Sequence, residues 1–184
     1  MNFELCILNL NTWISKLNEA HVWEGEKELT RNEYLKVAGS VDSKIYFVES
    51  GCLRVFVVEE FEEHTVRFGY QNNIITALDS FVTEKPSDFF IQALKKTELK
   101  WVSKEKYMSF IQSDPENSLV WNKMLAYLIL SMMERERDIL ISSPVERYNR
   151  VLSRSPQLFQ EVPHKYIASY LRMTPETLSR IKKS

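Results

Sequence analysis

Glycine is scarce in this chain: there are four in 184 residues, Gly25, Gly39, Gly51 and Gly69, and none after Tyr70. Sheets are punctuated by glycine-bearing turns, so the second half of the chain is expected to be helical. Cysteine is scarcer still. Cys6 and Cys52 give neither a zinc-type pair nor a disulfide framework, and read as inert thiols in a reducing compartment. Of three histidines, His21, His64 and His164, only His64 lies in the strand-rich region. A metal-dependent jelly-roll enzyme needs ligands clustered on adjacent strands, which this distribution cannot supply. There is no glycine-flanked serine elbow, no phosphate-cradling glycine loop and no Cys-His pair placed by sequence. Neither enzyme activity, nor a metal, nor a cofactor is expected. No long apolar run exists: Met124 to Met133 is about ten residues, closed by Glu134-Arg135-Glu136-Arg137-Asp138, against ~20 for a membrane span. Met1 to Ala20 contains Glu4, Lys16 and Glu19 and lacks the architecture of a signal peptide. A cytoplasmic protein with no membrane partner is expected.

What is present is a globular composition. Hydrophobic residues make up 44%, enough to bury a core without disulfide or metal staples. The net charge of −1 argues at first against nucleic acid, whose phosphates demand Lys and Arg. Division by segment changes that. From Pro163 to Ser184 there are five basic residues, Lys165, Arg172, Arg180, Lys182 and Lys183, against Glu176 alone, while residues 1–162 carry 19 basic and 24 acidic groups. An acidic body with a basic tail suggests a partner for the tail, although a solvated terminal helix has the same composition.

Residues 26–102 hold short β-branched and aromatic runs: Tyr34 to Val37, Ile45 to Val48, Leu53 to Val58, Val66 to Phe68 and Phe89 to Ile91. Turn candidates at Gly39-Ser40, Asp42-Ser43, Glu49-Ser50-Gly51 and Gly69 separate them. Strands at this spacing imply an antiparallel sandwich or jelly roll. From Pro115 a helix is predicted to about Ser142, capped by Asp114. Leu125, Leu128, Met132 and Ile139 form one stripe on it, and Met124, Tyr127, Leu130 and Met133 are also apolar. A helix apolar on several sides needs several covers: either the rest of its own fold, or in addition the same helix of a second subunit. Ser143-Pro144-Val145-Glu146 matches a capping box with proline in the first turn. Ser155-Pro156 opens a short helical segment through Phe159. Pro163 opens a helix over 164–171, and Thr174-Pro175 caps and starts a last one through Lys183.

Helix, short turn, helix is the layout of a DNA-reading motif. Ile167, Leu171, Met173, Leu178 and Ile181 supply its internal apolar positions, and Ala168 the small residue where the helices touch. Glu176, Thr177, Ser179, Arg180, Lys182 and Lys183 are left facing outward. Glutamate accepts from cytosine, arginine donates to guanine, and Thr and Lys suit phosphate. With Lys165 and Thr174, these are the candidate DNA-binding residues; an ordinary capped helix pair fits the same spacing.

The segment Ile167-Ala168-Ser169-Tyr170-Leu171-Arg172-Met173-Thr174-Pro175-Glu176-Thr177-Leu178-Ser179-Arg180-Ile181 resembles the helix-turn-helix of Crp/Fnr-superfamily transcription regulators, in particular the short branch common in Bacteroidetes. Tyr46-Phe47-Val48-Glu49-Ser50-Gly51-Cys52-Leu53-Arg54-Val55 is similar to a strand, turn and strand of that family's cyclic-nucleotide-binding-like roll. Ser143-Pro144-Val145-Glu146-Arg147-Tyr148 resembles the entry to its DNA-binding domain. The resemblance spans nearly the whole chain. It implies an α+β protein: a β-jelly-roll over 1–113, a dimerisation helix over 114–142 with Leu125, Leu128, Met132 and Ile139 at the interface, and a helix-turn-helix domain over 143–184 without a C-terminal wing. The implied function is a homodimeric transcription regulator bound to a roughly palindromic double-stranded DNA operator, either switched by a small-molecule effector of unknown identity or binding DNA constitutively.

Two departures qualify what the resemblance implies. Members that bind cyclic nucleotides carry a Gly-Glu pair and a following arginine. Here Thr76 and Ala77 stand at the pair, and Ser87 followed by Asp88 at the arginine. A phosphate would lose its counter-charge and meet a carboxylate, so regulation by cyclic AMP is not expected. Two cysteines likewise cannot hold the iron-sulfur cluster known elsewhere in the superfamily. In the reading helix, Glu176 and Arg180 match the family's pattern, but Pro175 stands in place of an arginine, and Arg172 replaces the turn glycine at a position that favours positive φ. The alternative function is a ligand-sensing or protein-interaction dimer that keeps the roll without binding DNA.

Overall fold

The computed structural model describes residues 3–183, with side chains from residue 10 onward; the Cys6 thiol lies outside the described side chains. A first helix, α1 (Phe3–Glu19), precedes the strands β1 (Gly25–Leu29), β2 (Tyr34–Lys36), β3 (Ile45–Ser50), β4 (Cys52–Glu59), β5 (Glu62–Tyr70) and β6 (Ile74–Ile75). A single-turn helix α2 (Leu78–Thr83) follows, then β7 (Phe90–Ala93) and β8 (Thr97–Val102). The rest is helical: α3 (Lys104–Gln112), α4 (Pro115–Leu140), α5 (Pro144–Arg154), α6 (Pro156–Glu161), α7 (His164–Tyr170) and α8 (Pro175–Ile181). No helix of the described residues is long and apolar enough to cross a membrane.

The strands form two antiparallel four-stranded sheets, ordered β1-β8-β3-β6 and β2-β7-β4-β5. Alternate residues of both sheets point into one core: Leu29, Tyr46, Val48, Ile75 and Leu99 from the first, Leu35, Leu53, Ile91 and Ala93 from the second. This is the period-two pattern of a roll that buries one face of each sheet. The β3–β4 reversal turns on Gly51 at φ +101°, where any Cβ would collide with Thr97.

α1, α2, α3 and β8 are elements that the sequence pattern did not mark. They share a second core: Trp13 and Leu17 of α1, Phe81 of α2, Val102 of β8, and Tyr107 and Ile111 of α3. Trp121 and Met124 of α4 border it. Trp13 Nε1 donates to the Tyr107 hydroxyl at 3.2 Å. α2 is too short to show a helical period, and α1 packs against residues about thirty to a hundred positions on, from Ile45 to Ile111.

The helices after residue 114 start at the signals read from the sequence. Asp114 accepts from the Glu116 amide at 2.8 Å, Ser143 from Glu146 at 3.3 Å and Thr174 from Thr177 at 3.2 Å, each followed by proline in the first turn. A third core binds α5 to α8 onto the outer face of the second sheet. Val151, Leu158, Val162, Ile167, Ala168, Leu171 and Leu178 pack with Cys52, Phe68 and Leu94 of the roll.

α4 is covered on one flank only. Leu119, Ile129, Leu130, Met132, Met133, Ile139 and Leu140 are exposed. Of the four residues expected at a dimer interface, Leu125 and Leu128 are half-buried, while Met132 and Ile139 are open. The centre of the exposed face instead runs through Leu119, Asn122, Ala126, Ile129, Met133, Glu136 and Leu140, an unbroken alternation of three- and four-residue steps.

Candidate nucleic-acid interface

α7 and α8 are joined by a turn whose hydrogen bonds define its geometry. Met173 N–H reaches Ala168 C=O at 3.0 Å and Arg172 N–H reaches Ser169 C=O at 3.1 Å. With Arg172 left-handed at φ +53°, this is a Schellman closure, whose left-handed position is most often glycine. Ala168 is fully buried against the second helix and Leu178 is fully buried from the other side, so the pair crosses closely about a small residue.

The outward side of α8 is the chemically interesting one. Glu176, Arg180, Lys182 and Lys183 are exposed, whereas Thr177 and Ser179 are half-buried. Glu176 and Arg180 lie one turn apart on one face, and Lys183 continues that face. Hydrogen bonds from its own amide and from the Thr174 hydroxyl hold the Glu176 carboxyl below the usual carboxylate range, and the charge of Arg180 adds to the effect. Thr174 is the cap of α8, its Oγ1 lying 3.1 Å from Thr177 Oγ1. Pro175 occupies the first turn, where its missing N–H costs nothing. Lys165 stands apart, on the first turn of α7, with its ammonium 4.5 Å from the Tyr166 ring centre. The structure therefore places Thr174, Glu176 and Thr177 at the start of α8 and Arg180, Lys182 and Lys183 at its end, with Glu176 and Arg180 on one face, Ser179 half-buried and Lys165 on a neighbouring element.

Several residues that hold this motif in place were not marked by the sequence. Ser169 Oγ donates to Glu63 C=O and accepts from Thr65 N–H, both at 3.0 Å, along the open edge of β5. Arg172 Nη1 lies 2.9 Å from His64 Nδ1. Phe68 packs on Tyr170 with ring centres 5.5 Å apart. Arg54 is almost wholly buried, its guanidinium 3.8 Å from the Phe56 ring centre and 4.3 Å from that of Tyr166, with the Glu63 carboxylate at 2.6 Å. An arginine between two rings gains cation–π attraction on both faces, and here one ring belongs to the roll and the other to α7.

The junction between α4 and α5 is also ionic. The Asp138 side chain is 1% exposed and is held by Arg150 at 3.0 Å and by Arg154; Arg150 also reaches Glu134 at 2.9 Å. Arg147 donates to Ile141 C=O at 2.6 Å and to Arg172 C=O at 3.2 Å, tying the link before α5 to the α7–α8 turn.

At the roll, Ala77 is buried in the core, and Thr76 Oγ1 donates to Lys44 C=O at 2.9 Å. Ser87 is buried, and its carbonyl accepts from Gly39 N–H at 2.9 Å and from the Lys36 ammonium at 3.2 Å. Lys36 donates also to Val37 C=O and Phe89 C=O, both at 3.0 Å, which uses all three of its protons. Burial draws its pKa below the usual lysine value, against the opposing pull of Asp79, Asp42 and Asp88.

The fold has close counterparts among solved structures. FixK2 from Bradyrhizobium japonicum superimposes with a TM-score of 0.71 over 86% of this chain and 82% of its own, at 16% identity. A CooA mutant from Carboxydothermus hydrogenoformans gives 0.69 over 86% of this chain and 74% of its own, at 19% identity. A chain from Eubacterium rectale described as a crp/fnr-family transcriptional regulator gives 0.63 over 86% and 76%, at 16% identity. No protein-family model matches the sequence, and no curated protein does. The fold is that of the Crp/Fnr-type regulators: a cyclic-nucleotide-binding-like roll, a long helix and a helix-turn-helix.

Proposed function

We propose that the chain is a sequence-specific, DNA-binding transcription regulator of the Crp/Fnr type that works as a homodimer and is not switched by cyclic AMP. The observation that carries this reading is α8 itself. Its inner side is sealed by Leu178, while Glu176, Arg180 and Lys183 stand outward on one face, at the end of a fold whose counterparts are regulators. An acceptor and a donor one turn apart suit base edges in the major groove, and flanking lysines suit phosphates. The division is the roll over 1–113, the dimer helix over 114–142 and the reading domain over 143–184.

The dimer reading rests on the seven-residue alternation of exposed positions on α4, which a second copy of α4 covers economically. Two α8 helices about one helical turn apart, ~34 Å, then meet a roughly palindromic site. Independence from cyclic AMP rests on Ala77, which is part of the apolar core, and on Ser87, which offers no charge to a phosphate. Selection of bound fragments from random double-stranded DNA by the purified protein should return an inverted repeat. Recovery of unenriched sequence would refute the reading. Calorimetry with cyclic AMP should show no heat of binding at micromolar concentrations.

A further inference from the structure

Arg172 is an unexpected residue for its place. A left-handed residue closing a helix is most often glycine, because a Cβ there costs roughly 1 kcal/mol, yet the chain places arginine there at φ +53°. Its side chain and carbonyl are both engaged. The guanidinium reaches His64 on β5 at 2.9 Å, and the carbonyl accepts from Arg147 on α5 at 3.2 Å. Glycine could supply the turn but not the reach to the roll.

The contact with His64 works in only one protonation state. Arginine has donors and no acceptor, so Nδ1 must carry a lone pair, and the imidazole is neutral with its proton on Nε2. A proton on Nδ1 removes the acceptor and places two cations in contact. Two further cations stand nearby: Arg147 donates to the Arg172 carbonyl, and Arg135 of α4 stacks on Tyr170 at 4.1 Å. On the histidine's own strand, the Glu63 carboxylate is taken by Arg54, which leaves Glu62 as the adjacent acid. The facing residue on β4 is Val57, and α7 presents Ser169 and Tyr170.

We propose that His64 and Arg172 form a proton-sensitive strut between the roll and the reading domain, closed while the imidazole is neutral and opened when it is protonated. Opening removes one of the ties that fix the α7–α8 turn against β5, so acid loosens the mounting of the reading helix. The strut deepens the proposed DNA-binding function but does not depend on it, because docking of α7 on β5 can be followed without DNA.

Amide hydrogen exchange on the full chain, expressed as protection factors over residues 164–172, tests it at pH 5.5 and 7.5. In the unsubstituted protein, protection should fall about fivefold at the lower pH, the loss of one ordinary hydrogen bond. His64→Gln, a neutral side chain with its own acceptor, should keep protection equal at both values. Arg172→Gly, which suits the turn and should fold, relieves the left-handed Cβ as it removes the strut, so its protection should be the same at both pH values. Equal protection of the unsubstituted protein at the two pH values, or the same fall in His64→Gln, overturns the strut. If a DNA site has been selected, its affinity should follow the same pH dependence in the unsubstituted protein and lose it in both variants. Absence of any DNA binding with the exchange pattern intact would reject the regulator reading and leave the strut standing.

Discussion

Arg180 and Lys182 lie two positions apart at the end of α8, and their chemistry separates their tasks. Arg180 shares a face with Glu176, and a planar guanidinium recognises guanine with two hydrogen bonds, worth roughly 1–3 kcal/mol of discrimination. Lys182, at the helix end, is a point charge suited to phosphate. Arg180→Ala should therefore weaken a selected site by about tenfold to a hundredfold and leave random DNA nearly unaffected. Lys182→Ala should weaken both alike. Fluorescence anisotropy on selected and scrambled duplexes measures the difference, and equal effects of the two substitutions would contradict the assignment. Cys52 illustrates an opposite kind of residue. Burial pushes its thiol up to about 12, so it stays protonated and packs as a small apolar group between the roll and the C-terminal helices.

At the scale of elements, α4 and its junction with α5 carry the sharpest expectations. The exposed seam contains Ile129 at its middle and Glu136 near its end. Two copies of α4 would bury the first and bring two of the second together. Ile129→Asp should dissociate the dimer, whereas Glu136→Leu should tighten it, and sedimentation velocity over a range of concentrations reads both. Failure of either to move the association would place the interface elsewhere. Asp138 is buried and shared by Arg150 and Arg154. Its replacement by Asn leaves Arg150 and Arg154 only the Glu134 carboxylate at the α4–α5 corner, a loss of roughly 2 kcal/mol measurable by urea denaturation. The helical half was largely legible in the sequence, because Asp114, Ser143 and Thr174 each precede proline and announce a helix start locally. The exposed stripe of α4 was legible only in part. Periodicity finds apolar faces on α4 but not which of them Phe81 and Tyr107 already cover, so half of the chosen stripe lies toward the fold.

Across the whole molecule, charge is separated: an acidic body of 162 residues carries a basic tail. Two subunits of the proposed dimer would present at most ten basic groups from that tail, and ten phosphate contacts would give a salt slope of about −9. Arg172 is engaged with His64, so the slope should be shallower than that, which binding measured between low and moderate salt will show. The candidate reading face was legible because Glu176, Arg180 and the lysines are close in sequence. The way that face is mounted was not. Ser169 meets β5 across 104 positions and Arg172 meets His64 across 108, and nothing in a serine or a histidine on its own announces a partner so distant.

One consequence of Ser169 concerns solubility. β5 is the last strand of its sheet, and an uncovered strand of nine residues offers its backbone to any other chain that can pair with it. Ser169 occupies one N–H and one C=O of that edge, and α7 lies alongside it. The C-terminal helices thus guard the sheet: whatever lifts α7 away also opens a site for strand addition, so the cost of loosening this molecule is exposure to self-assembly.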